Sequence, residues 1–259
     1  MIEEPYRWVE AIANRREYIE TQLASGSPIA ALSYRDGILF LTVGRARQKV
    51  FEIYDRIALG AIGHPGDIER LRMAAIELAS TEGFTRSAAD VSLRRLAFYS
   101  LSPLLKTAFE QIYGAPFLAR MIFAEVGATA AEDLYLRVEY DGVITANGPT
   151  VKTQPPRFCA ISGTARATER MEKFLTREHD PDCTLKRATK IALDAWSAGS
   201  LSAGEETSEE VPAQEALAQH RAQELQTATV EAAVLERSGP SALRYRPITG
   251  EELDELTAA

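Results

Sequence analysis

Ser27 lies in the stretch GSPIAALSYRDGILFLTVG, residues 26–44, directly after a glycine and just ahead of the first apolar run. That is where an N-terminal nucleophile would stand. In such chemistry a Ser, Thr or Cys freed by self-cleavage uses its own α-amine as base, because an α-amine pKa of about 7.7–8.0 lies near ambient pH. The neighbouring residues give it little support. Pro28 constrains the backbone, ILFLTV brings no carboxylate, and RIALGAIG (56–63) brings no lysine to tune the proton. The segment ahead of Ser27 reads as a well-formed helix rather than a disposable leader. These residues leave two readings: a self-processing peptidase that uses Ser27, or the same framework without the chemistry.

Other reactive groups are few. The chain has three histidines, His64, His179 and His220, and shows no G-x-S-x-G, no H-E-x-x-H and no P-loop. REHDPDC gathers His179, Asp180, Asp182 and Cys183 into one loop, but a zinc site needs a second ligand pair from elsewhere. Asp-Pro-Asp between two helices is turn and capping chemistry, so no metal and no cofactor is expected. Cys159, between Phe158 and Ala160, reads as a small core residue.

The positioning elements follow from periodicity. Residues 1–24 carry Trp8, Ile12, Ile19 and Leu23 on one helical face with Val9 beside it, and Ser25-Gly26-Ser27-Pro28 ends that helix. PIAALSY and GILFLTV read as a hairpin turning at Asp36-Gly37, and RIALGAIG as a third strand. Two helices are expected over 66–83, stopped by Gly83, and 87–114, capped by Ser87 and kinked at Pro103. Strands return in FLARMIFAEVG, DLYLRVEYDG, VITAN and RFCAIS, and a second helix pair spans 163–199. A Ser-, Glu-, Ala- and Gln-rich stretch over 200–226 reads as a flexible acidic linker, in part helical. TATVEAAVLER, ALRYRPI and a short acidic helix close the chain within 227–259. The expectation is an α+β fold: a four-layer αββα sandwich over 25–199, completed by 227–259 and preceded by a separate helix.

Composition sets the class of partner. With 259 residues, 46% hydrophobic and 25% charged, the chain can bury a full core. A net charge of −8 argues against a phosphate-neutralising surface, so nucleic acid is not an expected partner. No apolar run reaches membrane-spanning length, and MIEEPYRWVEAIANRREY is too acidic and broken for a signal peptide. Two cysteines fit a reducing cytoplasm.

In order and spacing, AALSYRDGILFL, QKVFEIYDRIALGAIG and IERLRMAAIELASTEGFTRSAADVSLRRLA resemble the proteasome α-type subunit, closest to the actinobacterial form. LYLRVEYDG is similar to that family's later hairpin, and EAAVLERSGPSALRYRPITGEELDEL to its terminal strands and last helix. The resemblance runs from about residue 8 to 256 and departs at 1–7, at 149–156 and in the long linker. It implies an Ntn-hydrolase-like sandwich without catalytic residues. The position where a β-type subunit begins with its catalytic threonine is internal here, and the helix ahead of it stays attached for assembly.

The resemblance further implies a seven-membered ring capping a ring of β subunits, through which unfolded protein passes. Residues 1–7, with Ile2, Pro5 and Tyr6, would form the gate, and the Trp8, Ile12, Ile19, Leu23 stripe would await a neighbouring subunit. C-terminal tails of an ATP-dependent ring unfoldase would insert into pockets between α subunits. The pocket lysine of archaeal relatives falls on Lys49, the glycine after the first helix on Gly26, and the position after the third strand's terminal glycine on His64. A lysine there can hold a terminal carboxylate by a charge-assisted contact.

Overall fold

The apolar runs expected as strands are continuous rather than alternating because both of their faces are covered. In β1 (Ile29–Tyr34) and β2 (Gly37–Gly44) nearly every residue is buried. Ile29 and Ala31 of β1 face the second sheet, whereas Ala30, Leu32 and Tyr34 face helices on the other side. The computed structural model of the chain describes residues 5–45, 47–111, 113–147, 157–201, 211–238 and 243–258, with only the backbone of Pro5 and Tyr6.

Two five-stranded antiparallel sheets result. One has the order β10-β9-β2-β1-β8 and the other β3-β4-β5-β6-β7. The first adds β8 (Phe158–Ile161), β9 (Thr229–Glu236) and β10 (Tyr245–Ile248) to the β1–β2 hairpin. The second holds β3 (Val50–Tyr54), β4 (Ile57–Gly63), β5 (Ala119–Glu125), β6 (Leu134–Val138) and β7 (Ile144–Asn147). Ile29, Phe40, Ile62, Ile122, Tyr135 and Leu235 fill the space between the sheets. Helices α5 (Ala165–Glu178) and α6 (Leu185–Ser200) cover the first sheet through Met171, Phe174, Ile191 and Trp196. Helix α2 (Pro65–Thr85), the short α3 (Leu93–Leu96) and α4 (Ser102–Glu110) cover the second. The expected four-layer αββα sandwich is present.

Several local expectations need correction. QKVFEIYD, over which no element is expected, contains the strand β3. The hairpin turns at Arg35-Asp36, one residue early, and Gly37 already belongs to β2. A Cβ on Gly37 would stand 2.0 Å from the Leu235 carbonyl oxygen, so β9 runs too close for any side chain there. Gly83 does not stop α2; it lies inside the helix because a Cβ would meet the Tyr54 hydroxyl at 2.2 Å. The single helix expected over 87–114 is broken into a 3₁₀ turn capped by Ser87, then α3, a π-helical turn at Ala97–Leu101, and α4 with Pro103 near its start. The linker expected over 200–226 contains α7 (Gln214–Glu224), which packs on α6 through buried Leu217 and an Asp194–Arg221 ion pair.

The first helix, α1, runs Pro5–Leu23. Residues 1–7 therefore do not all precede it. Proline suits a first helical position because its missing N–H needs no partner there and its φ is preset. Pro5 and Tyr6 lie in the first turn, and Ile2 lies outside the described residues. Nor does the stripe await a neighbour along its whole length. Ile19 and Leu23 are fully buried in the chain itself against Phe109 and Tyr140, with Ile12 partly so, and of the four only Trp8 is largely exposed, at 44%. The end of α4 and the turn after β6 fold back under the helix, which periodicity alone does not reveal. Arg15 fixes that contact by donating to the carbonyls of Phe109 (3.1 Å) and Gly114 (3.0 Å) where α4 ends. The last helix, α8 (Gly250–Thr257), packs on α6.

Candidate functional site

Where α1 hands over to β1, the ends of several elements leave a cavity of about 920 Å³. Gly26 and Ser27 line it from that junction, Val43 and Gly44 from the end of β2, and Lys49 from just before β3. The Ser162–Thr164 corner, Trp196 of α6 and Glu224 at the end of α7 complete its wall. Gly26 is there by necessity: a Cβ would lie 2.9 Å from the Leu23 carbonyl oxygen and 3.1 Å from Ile62 Cδ1.

Lys49 and Gly26, far apart in sequence, thus share one cavity. His64 does not line it. It is exposed at the N-cap of α2, between the lining residues Gly63 and Pro65, and its backbone N–H donates to the Leu118 carbonyl at 2.7 Å. His64 holds a rim position.

Lys49 is the electrostatically unusual member. Burial pushes its ammonium below the ordinary lysine range, and the nearby Glu231 carboxylate offsets this only in part. That carboxylate is already occupied. It accepts the backbone N–H of Lys49 at 3.0 Å and of Val50 at 2.9 Å, which pins the loop ahead of β3. Burial raises the Glu231 pKa, and those N–H bonds work against the rise. Among the described residues the Lys49 ammonium has no ion pair. A desolvated cation whose neighbouring acid is already engaged by backbone N–H groups is suited to accept a carboxylate from outside the chain.

Ser27 is differently placed. Its hydroxyl donates to the Val43 carbonyl and accepts the Trp196 indole N–H at 3.1 Å. Its backbone nitrogen is joined through Gly26 to α1. The hydroxyl proton points at a main-chain oxygen that cannot serve as a base. In this geometry Ser27 ties β1, β2 and α6 together.

The remaining reactive groups serve the framework. His179 hydrogen-bonds the Ser33 carbonyl at 2.9 Å, and burial lowers its pKa. Asp180 accepts the Asp182 N–H at 3.0 Å, closing the turn before α6, and Cys183 is buried beside it. Burial pushes the Cys159 thiol up to about 12, as befits a core residue of β8. His220 of α7 stacks on Trp196 with ring centroids 5.7 Å apart, so α7 supports the indole that holds Ser27.

Sequence reasoning missed Arg45, Arg47, Trp196 and Glu224 as cavity residues. The run RARQK ahead of β3 carries a visible signal in its cation density, whereas Trp196 and Glu224 reach the site only through the fold.

The fold is an αββα sandwich with a leading helix attached and a cavity at the start of its first strand. No family model matches the chain. Similarity to individual proteins is extensive. The proteasome subunit alpha of Streptomyces scabiei is 31% identical over 252 residues, covering 96% of this chain and 90% of that protein. Those of Mycolicibacterium vanbaalenii (32% over 252 residues, 95% of this chain and 87% of that protein) and Parafrankia sp. (30% over 256 residues, 95% and 92%) are similar throughout. The chain belongs to the proteasome α-subunit family.

Proposed function

We propose that the chain is a non-catalytic ring subunit of a bacterial 20S proteasome core in the cytoplasm. Seven copies would form the gated mouth of a chamber whose peptidase sites belong to β subunits. The cavity at Gly26 and Lys49 would receive the C-terminal tail of an ATP-dependent ring unfoldase that delivers unfolded protein. The observation that carries this reading is the desolvated Lys49 ammonium, without an ion pair among the described residues, in a cavity of about 920 Å³. A chain-terminal carboxylate is its natural complement, because a charge-assisted hydrogen bond shielded from water is worth roughly 1.5–3 kcal/mol. His64, at the rim, would meet the tail where it enters. Exposed Trp8, Val9 and Tyr18 on α1 offer apolar area for a neighbouring subunit. Pro5 and Tyr6, at the helix start, would carry Ile2 toward the ring axis as the gate.

The test is reconstitution with the β partner. Peptide turnover should survive Ser27→Ala, since that hydroxyl is engaged in the framework. Lys49→Ala should lose about one to two decades of tail affinity, at about 1.4 kcal/mol per decade, and with it unfoldase-stimulated degradation. The same variant lacking residues 1–7 should hydrolyse short peptides normally. Turnover abolished by Ser27→Ala in an intact assembly would overturn the non-catalytic reading, and stimulation unchanged by Lys49→Ala would overturn the docking site.

A further inference from the structure

Around the cavity each described carboxylate already has a partner, and two cations do not. Glu69 is held by Arg72 in a two-pronged pair at 2.8 and 2.7 Å. Glu224 faces Arg45 at 4.0 Å, and Arg45 also donates to the Thr227 hydroxyl at 3.2 Å. Glu231 is taken by backbone N–H groups. Of the three cations in RARQK, Arg45 is therefore engaged, while Arg47 and Lys49 make no ion pair among the described residues.

Arg47 also holds a distinctive place. With Gly44 and Gln48 it lines both the large cavity and a second hollow of about 410 Å³, bounded by Val230, Tyr245, Ile248 and Leu253. The segment bearing Arg47 is the ridge between the two. Among the described residues, Arg47 and Glu231 are the only charged ones around the second hollow, and Glu231 is already satisfied.

We propose that Arg47 selects the docked chain by charge, favouring an acidic side chain within the last four residues of a tail whose terminal carboxylate Lys49 holds. This inference rests on the docking reading above. An extended chain advances roughly 3.3–3.6 Å per residue, so the α-carbons of Arg47 and Lys49 are at most about 7 Å apart. A tail anchored at Lys49 therefore brings a side chain two or three residues upstream past the ridge. The arginine fork can meet a carboxylate there through two parallel N–H bonds. A lysine at the same tail position would face Arg47 and Lys49 together, so the ridge also repels the wrong partner. Because Arg47 is exposed, its contribution is modest and sensitive to salt.

The experiment uses the assembled full-length protein and fluorescein-labelled heptapeptides of Gly, Ser and Leu with a free C-terminal carboxylate. Each of the three positions before the last carries Glu, Ala or Lys in turn, and affinity is read by polarisation at low and high salt. At one of these positions the wild type should prefer Glu to Ala and Ala to Lys by about threefold per step, a spread that shrinks in high salt. Arg47→Lys should keep the order and Arg47→Glu should invert it. Arg47→Glu replaces an exposed side chain, and elution as an intact assembly checks its fold. If the order persists in Arg47→Glu while free-carboxyl peptides still outbind amidated ones, the selection by Arg47 is wrong and the docking site stands. If no free-carboxyl peptide binds the wild type, docking fails, and the role of Arg47 falls with it.

Discussion

Arg120 and Lys49 are both basic, both largely withdrawn from water, and both set near the end of α1. Arg120, on β5, donates to Glu139 at 2.6 Å, to the carbonyls of Ser162 and Gly163 at 2.8 and 3.3 Å, and to Glu20 of α1 at 3.0 Å. Tyr140 adds its hydroxyl to Glu20 at 2.9 Å. Burial alone would lower the Arg120 pKa, yet Glu139 and Glu20 together raise it. For Lys49 the balance falls the other way, and burial wins over Glu231. A buried cation whose donors are all spent inside the chain fixes structure. One left short of acceptors stays available for a ligand, at some cost to the free protein.

The sharpest way to break this comparison is to remove each cation in turn. Arg120→Met leaves two buried carbonyls without their donor and Glu139 with only Arg137 at 3.5 Å, and removes one of the ties on Glu20 of α1, so it should cost about 3–5 kcal/mol in urea unfolding. Partial exposure of Glu20 places the effect toward the low end of that range. Lys49→Met should change stability by no more than about 0.5 kcal/mol, because among the described residues the ammonium makes no ion pair. Equal losses from both variants would mean that Lys49 is a structural cation as well.

A smaller effect, and a finer one, is in pH. In the proposed docking the charged form of Lys49 would hold the carboxylate, and its pKa is depressed. Docking should therefore weaken as pH rises through that depressed value, before an ordinary lysine would lose its proton. Folding stability of the free chain moves in the opposite sense. Between the folded and unfolded pKa values the unfolded state binds more protons, so stability rises with pH across that window. Lys49→Arg should flatten the docking profile, because guanidinium keeps its proton throughout. A wild-type profile as flat as that of Lys49→Arg would remove Lys49 from the contact.

The two regions were not equally legible in the sequence. Lys49 and Gly26 are marked by family resemblance alone; nothing in QKVFEIYDRI reports that the lysine is desolvated. Arg120 escaped notice. Within FLARMIFAEVG it looks like a lone arginine on a strand, and its partners Glu20, Glu139 and Ser162 come from three distant segments. The sheets and most helices were readable because runs such as ILFLTV and the 3.6-residue pattern of residues 66–83 are local signals. The broken helix over 87–114 was not, since the π-helical turn at Ala97–Leu101 is set by tertiary packing. The linker hid α7 for a related reason: its composition is that of a solvated chain, and its ties to α6, through Leu217, the Asp194–Arg221 pair and the His220–Trp196 stack, exist only in the fold.

The central claim is that Lys49 holds a chain-terminal carboxylate, and one binding measurement reaches it without any β subunit or unfoldase. A heptapeptide with a free C-terminus and its C-terminal amide would each be titrated into the assembled protein, wild type and Lys49→Ala. The account predicts that the free acid binds the wild type about one to two decades more tightly than the amide, and that Lys49→Ala brings both to the level of the amide. Equal binding of acid and amide by the wild type would contradict it.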